Sequence, residues 1–168
     1  MKLLRWILPI GLVYGAFAFG QGGVSTFTGK AVPAFSVKSY DGKTVSNASL
    51  KGKPYILDFW ATWCGPCKAA SPTMQAIHQK FASKGLVVIG ANMGENPKSL
   101  AMAKAYPKEH KYTYMFTLGN DKLAQKLQIA GIPCFLFVDK TGKIKAIRTG
   151  FDGGSSPADF EKLAKSLL

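Results

Sequence analysis

The sequence predicts a mixed α/β fold, a central sheet flanked by helices on both faces, and three observations predict it. Two apolar runs of strand length, Pro54 to Trp60 and Leu86 to Ala91, are each followed by a segment of helical character. Strands that are apolar throughout and alternate with helices are buried on both faces and run parallel. Short segments joined by Asp41-Gly42 and by Lys140-Thr141-Gly142 add a hairpin at either end of the chain. The 168 residues, 47% of them hydrophobic and 12% aromatic, make one domain with a core of ordinary size.

The elements follow in order. Residues 1–20 stand apart: Met1, Lys2 and Arg5 form a basic head, Trp6 to Phe19 an apolar run, and Ala16-Phe17-Ala18 or Ala18-Phe19-Gly20 a small-residue exit. This is the layout of a secretory signal peptide. The run of 14 residues is short against the roughly 20 of a spanning helix, so cleavage is favoured over an uncleaved N-terminal membrane anchor. Either way the folded part lies outside the cytoplasm, periplasmic or otherwise extracytoplasmic. No cysteine sits at the exit, which argues against a lipid anchor of the bacterial lipoprotein kind.

Residues 21–28 are small and polar, a linker, and the domain is expected over 29–168. Ala34 to Lys38 and Lys43 to Ser46 form the first hairpin, and Pro54 to Trp60 a buried strand. Met74, Ile77 and Phe81 then mark an amphipathic helix to about Lys84, kinked early by Pro72 and stopped by Gly85. Leu86 to Ala91 is the second buried strand. Pro97 to Glu109 reads as helix, Thr113 to Thr117 as strand and Asp121 to Leu127 as a short helix. Cys134 to Val138 and Lys143 to Arg148 form the second hairpin. The last helix runs from about Pro157 to Leu167, capped by Ser155 or Ser156.

The formal net charge is +13, and +11 without Lys2 and Arg5. The remaining lysines are scattered singly, without the basic run that nucleic-acid binding would show. A solvated surface that favours acidic partners or anionic membranes is the reading adopted, with no nucleic acid.

The chemistry concentrates at Trp63-Cys64-Gly65-Pro66-Cys67. Two thiols at this spacing form either a redox pair or half of a metal site. A metal site needs a second pair, and Cys134, His78 and His110 are the only other cysteine and histidines. Redox is favoured. Cys64 falls where a strand ends and a helix begins, so unpaired N–H groups and the helix dipole stabilise its thiolate. It reads as the attacking thiol, and Cys67, one turn in, as the resolving one. Asp58 lies inside an apolar strand, where burial raises the pKa of a carboxyl and poises it to take a proton from Cys67. A solvated, idle Asp at a strand edge is the alternative. Cys134 reads as a small buried hydrophobe rather than a third redox thiol. His78 reads as a partly buried, satisfied histidine, and His110 as exposed.

The run Phe59 to Lys68 resembles the active-site segment of the thioredoxin superfamily, and Gly131-Ile132-Pro133 resembles its cis-proline loop. Gly29 to Pro54 resembles the N-terminal extension of the TlpA/ResA-like redoxin branch, and Gly94 to Tyr114 its central insertion. The resemblance spans Gly29 to Leu168. It implies a thioredoxin-like fold with an N-terminal β-hairpin extension and a central insertion. By the same likeness Pro133 is the cis-proline beside the disulfide, and Trp63, Gly65, Pro66, Ile132 and Gly150 line the substrate groove.

Two departures concern tuning. Ala70 stands where many members of the branch carry a glutamate. About Gly90 stands where thioredoxin has the lysine that partners its buried aspartate, so Asp58 is expected to be strongly raised in pKa.

The expectation is an extracytoplasmic protein thiol–disulfide oxidoreductase without cofactor or metal, a monomer that reduces protein substrates with electrons from a membrane donor. Cytochrome c maturation and membrane-protein assembly are the processes the branch implies. Net thiol oxidation is one alternative, and a copper metallochaperone using both thiolates and a histidine is another. A thiol peroxidase is disfavoured, because no Thr-x-x-Cys with a partner arginine is visible.

Overall fold

A computed structural model describes residues 22–168, and the leader expected over 1–20 lies outside the described residues. Seven strands form one sheet: β1 (Ser36–Ser39), β2 (Thr44–Ser46), β3 (Tyr55–Trp60), β4 (Val87–Asn92), β5 (Met115–Leu118), β6 (Cys134–Val138) and β7 (Ile144–Thr149). The helices are α1 (Gly65–Phe81), α2 (Pro97–Glu109), α3 (Asp121–Lys126) and α4 (Ser156–Ser166).

The strand order is β2-β1-β5-β4-β3-β6-β7. The pairs β3–β4 and β4–β5 are parallel, as expected of apolar strands linked through helices, and the remaining pairs are antiparallel. The first hairpin extends the sheet by pairing Lys38 with Leu118 and Ser39 with Thr117. Between β4 and β5 the chain inserts α2, so the fold is thioredoxin-like with both additions in place.

Alternation along β3 divides the core. Ile56 and Trp60 face α1, α2 and α4, packing with Met74, Ile77, Phe81, Tyr106 and Phe160. Leu57 and Phe59 face the other way, toward α3 and the N-terminal segment, with Leu123, Leu127, Leu136 and Val32.

Several boundaries differ from expectation for local reasons. The part of the 21–28 linker that the structure describes is ordered: Val24–Phe27 forms a 3-10 turn, and Val24 and Phe27 pack on the core. Gly29 N–H donates to Ile144, and Ile144 N–H to Lys30, so this segment covers the outer edge of β7. Pro72 lies within α1, which runs on to Phe81 before a 3-10 turn, Ala82–Lys84. Ser155 is the N-cap of α4, as expected, but its hydroxyl makes no cap bond and donates to Asp152, whose carboxylate also accepts the N–H groups of Gly154 and Ser155 ahead of the helix. Asn96 caps α2 in a reciprocal box with Ser99.

Candidate active site

Parallel strands β3 and β4 end at the same side of the sheet, and the site is built on the loops that leave them. Cys64 closes the loop after β3 and is the N-cap of α1, where its Sγ accepts the Cys67 N–H at 3.2 Å. Pro66 sits in the first turn, where its missing N–H costs nothing. Cys64 and Cys67 form a disulfide, with S–S 1.95 Å and Cα–Cα 5.3 Å. Both cysteines are buried, Cys67 fully, while Gly65 and Pro66 between them are exposed. Trp63, 63% exposed, is the largest apolar group presented beside the pair.

The Ile132–Pro133 peptide is cis, and Pro133 immediately precedes β6. Gly150, at φ +76°, donates its N–H to the Pro133 carbonyl and so ties the end of β7 to the proline loop. A Cβ at Gly150 would meet nothing within 4 Å, so the positive φ, not crowding, is what the glycine satisfies. A cleft of about 570 Å³ lies along this loop, lined by Val24, Ile132, Pro133 and Gly150 among others. A larger cavity of about 610 Å³ opens at the other end of the sheet, around the starts of β4 and β5, and touches neither cysteine.

Asp58 is fully buried on the face that α1 covers, and neither carboxyl oxygen has a hydrogen-bond partner among the described residues. Burial pushes its pKa from 3.8 up to about 8. The reason no cation relieves it is geometric. Asp58 pairs with Gly90, and a Cβ at Gly90 would lie 2.8 Å from the Phe116 ring and 3.2 Å from Trp60 Nε1. Two aromatic rings occupy the space a counter-ion's side chain would cross. Behind Cys67, Ser71 Oγ donates to the Cys67 carbonyl, and Tyr106 hydroxyl donates to Ser71 Oγ.

Cys134 is buried among Phe59, Leu57 and Leu136, on the face of the sheet opposite the disulfide. Burial, with Asp58 adding, pushes its thiol up to about 12. His78 is partly buried, and burial lowers its pKa. Contrary to the satisfied histidine expected, its Nδ1 has no partner among the described residues. It lies eleven residues beyond Cys67 on α1, roughly 16 Å along the axis. The exposed His110 stacks on Tyr112. Among the described residues no three His, Cys, Asp or Glu side chains are grouped to hold a metal ion.

One group of residues braced against the active-site loop was not legible in sequence. The Glu95 carboxylate accepts the Thr62 N–H at 2.6 Å and the Thr62 hydroxyl at 2.8 Å, and Asn92 Nδ2 donates to it at 3.0 Å. Trp63 Nε1 donates to the Gly94 carbonyl at 2.9 Å, and Asp121 accepts the Gly94 N–H. The available signal was position: a carboxylate just past the end of β4 shares the carboxyl edge of the parallel strands with Cys64.

With this geometry in hand, the chain's relatives are informative. Residues 28–147 match the AhpC/TSA family. Thioredoxin-like protein YneN of Bacillus subtilis is 30% identical over 122 residues, covering 73% of this chain and 71% of the relative. Thiol-disulfide oxidoreductase ResA of the same organism is 28% identical over 165 residues, covering 97% of this chain and 89% of ResA. A crystal structure of a thiol:disulfide interchange protein, thioredoxin family protein, from Chlorobium tepidum TLS is 31% identical. It superposes with a TM-score of 0.69 over 82% of this chain and 94% of its own. A Cys-Gly-Pro-Cys disulfide at a helix N-terminus, on a sheet shared with these proteins, makes this chain a thiol–disulfide oxidoreductase that belongs to the AhpC/TSA family.

Proposed function

We propose that the protein reduces disulfides of protein substrates outside the cytoplasm. The observation that carries this is the Cys64–Cys67 pair at the start of α1, with Gly65-Pro66 between the thiols. A thiolate at Cys64 attacks a substrate disulfide, forming a mixed disulfide and releasing one substrate thiolate. Cys67 then attacks Cys64 Sγ, releasing the second substrate thiolate and restoring the bond seen here. Two electrons pass to substrate in each cycle. Asp58, its carboxyl held up at about 8 by burial, takes in its ionised form the proton that Cys67 gives up as it becomes a nucleophile, and is then left neutral. Pro133 and Ile132 face the incoming sulfur from one side and Trp63 with Gly65-Pro66 from the other. Gly150 keeps the cleft beside them open.

The Gly-Pro spacing is that of thioredoxin, at about −270 mV the reducing end of the scale. The leader supports an extracytoplasmic location, secreted or held by an N-terminal anchor, and a membrane thiol donor would then re-reduce the pair. Apocytochrome c maturation or membrane-protein assembly is the setting this reading favours. A copper-carrier role finds His78 too far along α1 to join both thiolates. A peroxidase would need an arginine, and Arg148 is paired with Asp159. The deciding measurement is the Cys64/Cys67 reduction potential in buffered glutathione or dithiothreitol. A value near thioredoxin's supports the reductase; a value well above it overturns the assignment.

A further inference from the structure

The loop that carries the redox pair does not hold itself. Between the end of β3 at Trp60 and Cys64, Thr62 gives both its N–H and its hydroxyl to one carboxylate, that of Glu95. Trp63 is held next to it, with its indole N–H on the Gly94 carbonyl and its ring against Gly94. A Cβ at Gly94 would lie 3.3 Å from the Trp63 ring, and φ there is +66°, so this close approach requires glycine. Asn92 in turn donates to Glu95, and Asn120 donates to the Asn92 carbonyl. The segment Asn92 to Glu95 is therefore a cradle under the active-site loop, with an anion at its centre. Burial alone would push the Glu95 carboxyl up, but hydrogen bonds from Ser99, Asn92 and Thr62 outweigh it and keep the group ionised.

We infer that Glu95 is a positioning residue that holds the Cys64/Cys67 pair on the reducing side by standing as a negative charge behind the loop, where its bonds to Thr62 place it. A carboxylate there opposes charge on Cys64, and it consumes an N–H that could otherwise turn toward a thiolate. Destabilising the thiolate destabilises the reduced protein. The reduced form then gives up its electrons more readily, which is a lower potential. The inference rests on the reductive reading above.

Glu95→Gln tests it, because glutamine keeps the size and both contacts: its oxygen accepts the Thr62 N–H, and its amide donates to the Thr62 hydroxyl. Thr62→Val breaks the hydroxyl contact and leaves the charge. The thiol–disulfide equilibrium with glutathione, the pH at which the Cys64 thiolate absorbance appears and the melting temperature are read on all three proteins. Glu95→Gln should favour the reduced form about tenfold, a rise of about 30 mV. It should bring the thiolate in at lower pH with little change in melting. Thr62→Val should stay within twofold of wild type in equilibrium while exchanging more slowly. An unchanged equilibrium in Glu95→Gln makes Glu95 a structural brace only and overturns the inference. An equal shift in Thr62→Val assigns the effect to loop geometry and overturns it as well. If wild type itself lies at an oxidising potential, the reductase reading falls, while the difference between wild type and Glu95→Gln still decides the role of Glu95.

Discussion

Asp58 carries a carboxyl whose burial raises it to about 8, some four units above an unfolded aspartate. Between about pH 4 and pH 8 the folded protein therefore holds a proton that the unfolded chain has released. Stability must fall as pH rises through that window, because the folded state binds more protons than the unfolded one. At pH 7 the loss amounts to about 4 kcal/mol on this count. Asp58→Asn cannot ionise, so urea unfolding of the oxidised variant should show no such decline between pH 5 and pH 8. The same variant should resolve mixed disulfides about a hundredfold more slowly, the usual scale of a lost proton acceptor. A wild-type stability that is flat from pH 5 to pH 8 removes the basis for both expectations. Cys134 lies at the opposite extreme of reactivity. With its thiol pushed to about 12 and its side chain fully buried, it should resist iodoacetamide in the reduced native protein while Cys64 labels rapidly. Cys134→Ala should cost about 1–2 kcal/mol in stability and leave the potential unchanged. Labelling of Cys134 at a rate near that of Cys64 would return it to the redox chemistry.

At the scale of elements, β3 and β4 explain why Asp58 has no counter-cation among the described residues. Gly90 pairs with Asp58, and Phe116 and Trp60 fill the volume above it. Gly90→Ala should therefore overpack the sheet and cost about 1–3 kcal/mol, read as a lower melting temperature at unchanged disulfide content. Unchanged or higher melting would mean that Phe116 swings aside freely, and that a lysine could be accommodated there. Elements of this kind were legible in sequence, because the apolar run Tyr55–Trp60 and the spacing Met74, Ile77, Phe81 reflect burial that a periodicity reports directly. The pairing of Asp58 with Gly90 could be anticipated only through resemblance. The contact of Glu95 with Thr62 spans 33 positions between two loops, and no local pattern encodes it. The α4 cap shows the same limit: composition places it at Ser155, where it is, but the Ser155 hydroxyl turns back to the Asp152 carboxylate instead of to a helix N–H, which only the turn decides.

For the molecule as a whole, the N-terminal segment completes the body that presents the site. Gly29 and Val32 donate to Ile144 and Gly142, Ile144 donates back to Lys30, and Val32 is buried in the core. Without them β7 becomes an open edge, able to pair with another chain. β7 is also the strand whose end reaches the proline loop through Gly150, and Val24 stands in the wall of the cleft beside Pro133. A chain beginning at Gly22 keeps all of these contacts and serves as the reference. A chain beginning at Pro33 loses three backbone hydrogen bonds to the β7 hairpin and the burial of Val24, Phe27 and Val32. At about 1 kcal/mol per bond, and about 1 for each of the three side chains, two of them only partly buried, the loss is about 6 kcal/mol, comparable with the whole stability of many domains. It should appear as a much lower urea midpoint, as self-association in light scattering and as slowed exchange at Cys64. Equal midpoints for the two shortened chains would show instead that the segment is a passenger, and that β7 and the proline loop hold their places from within the sheet.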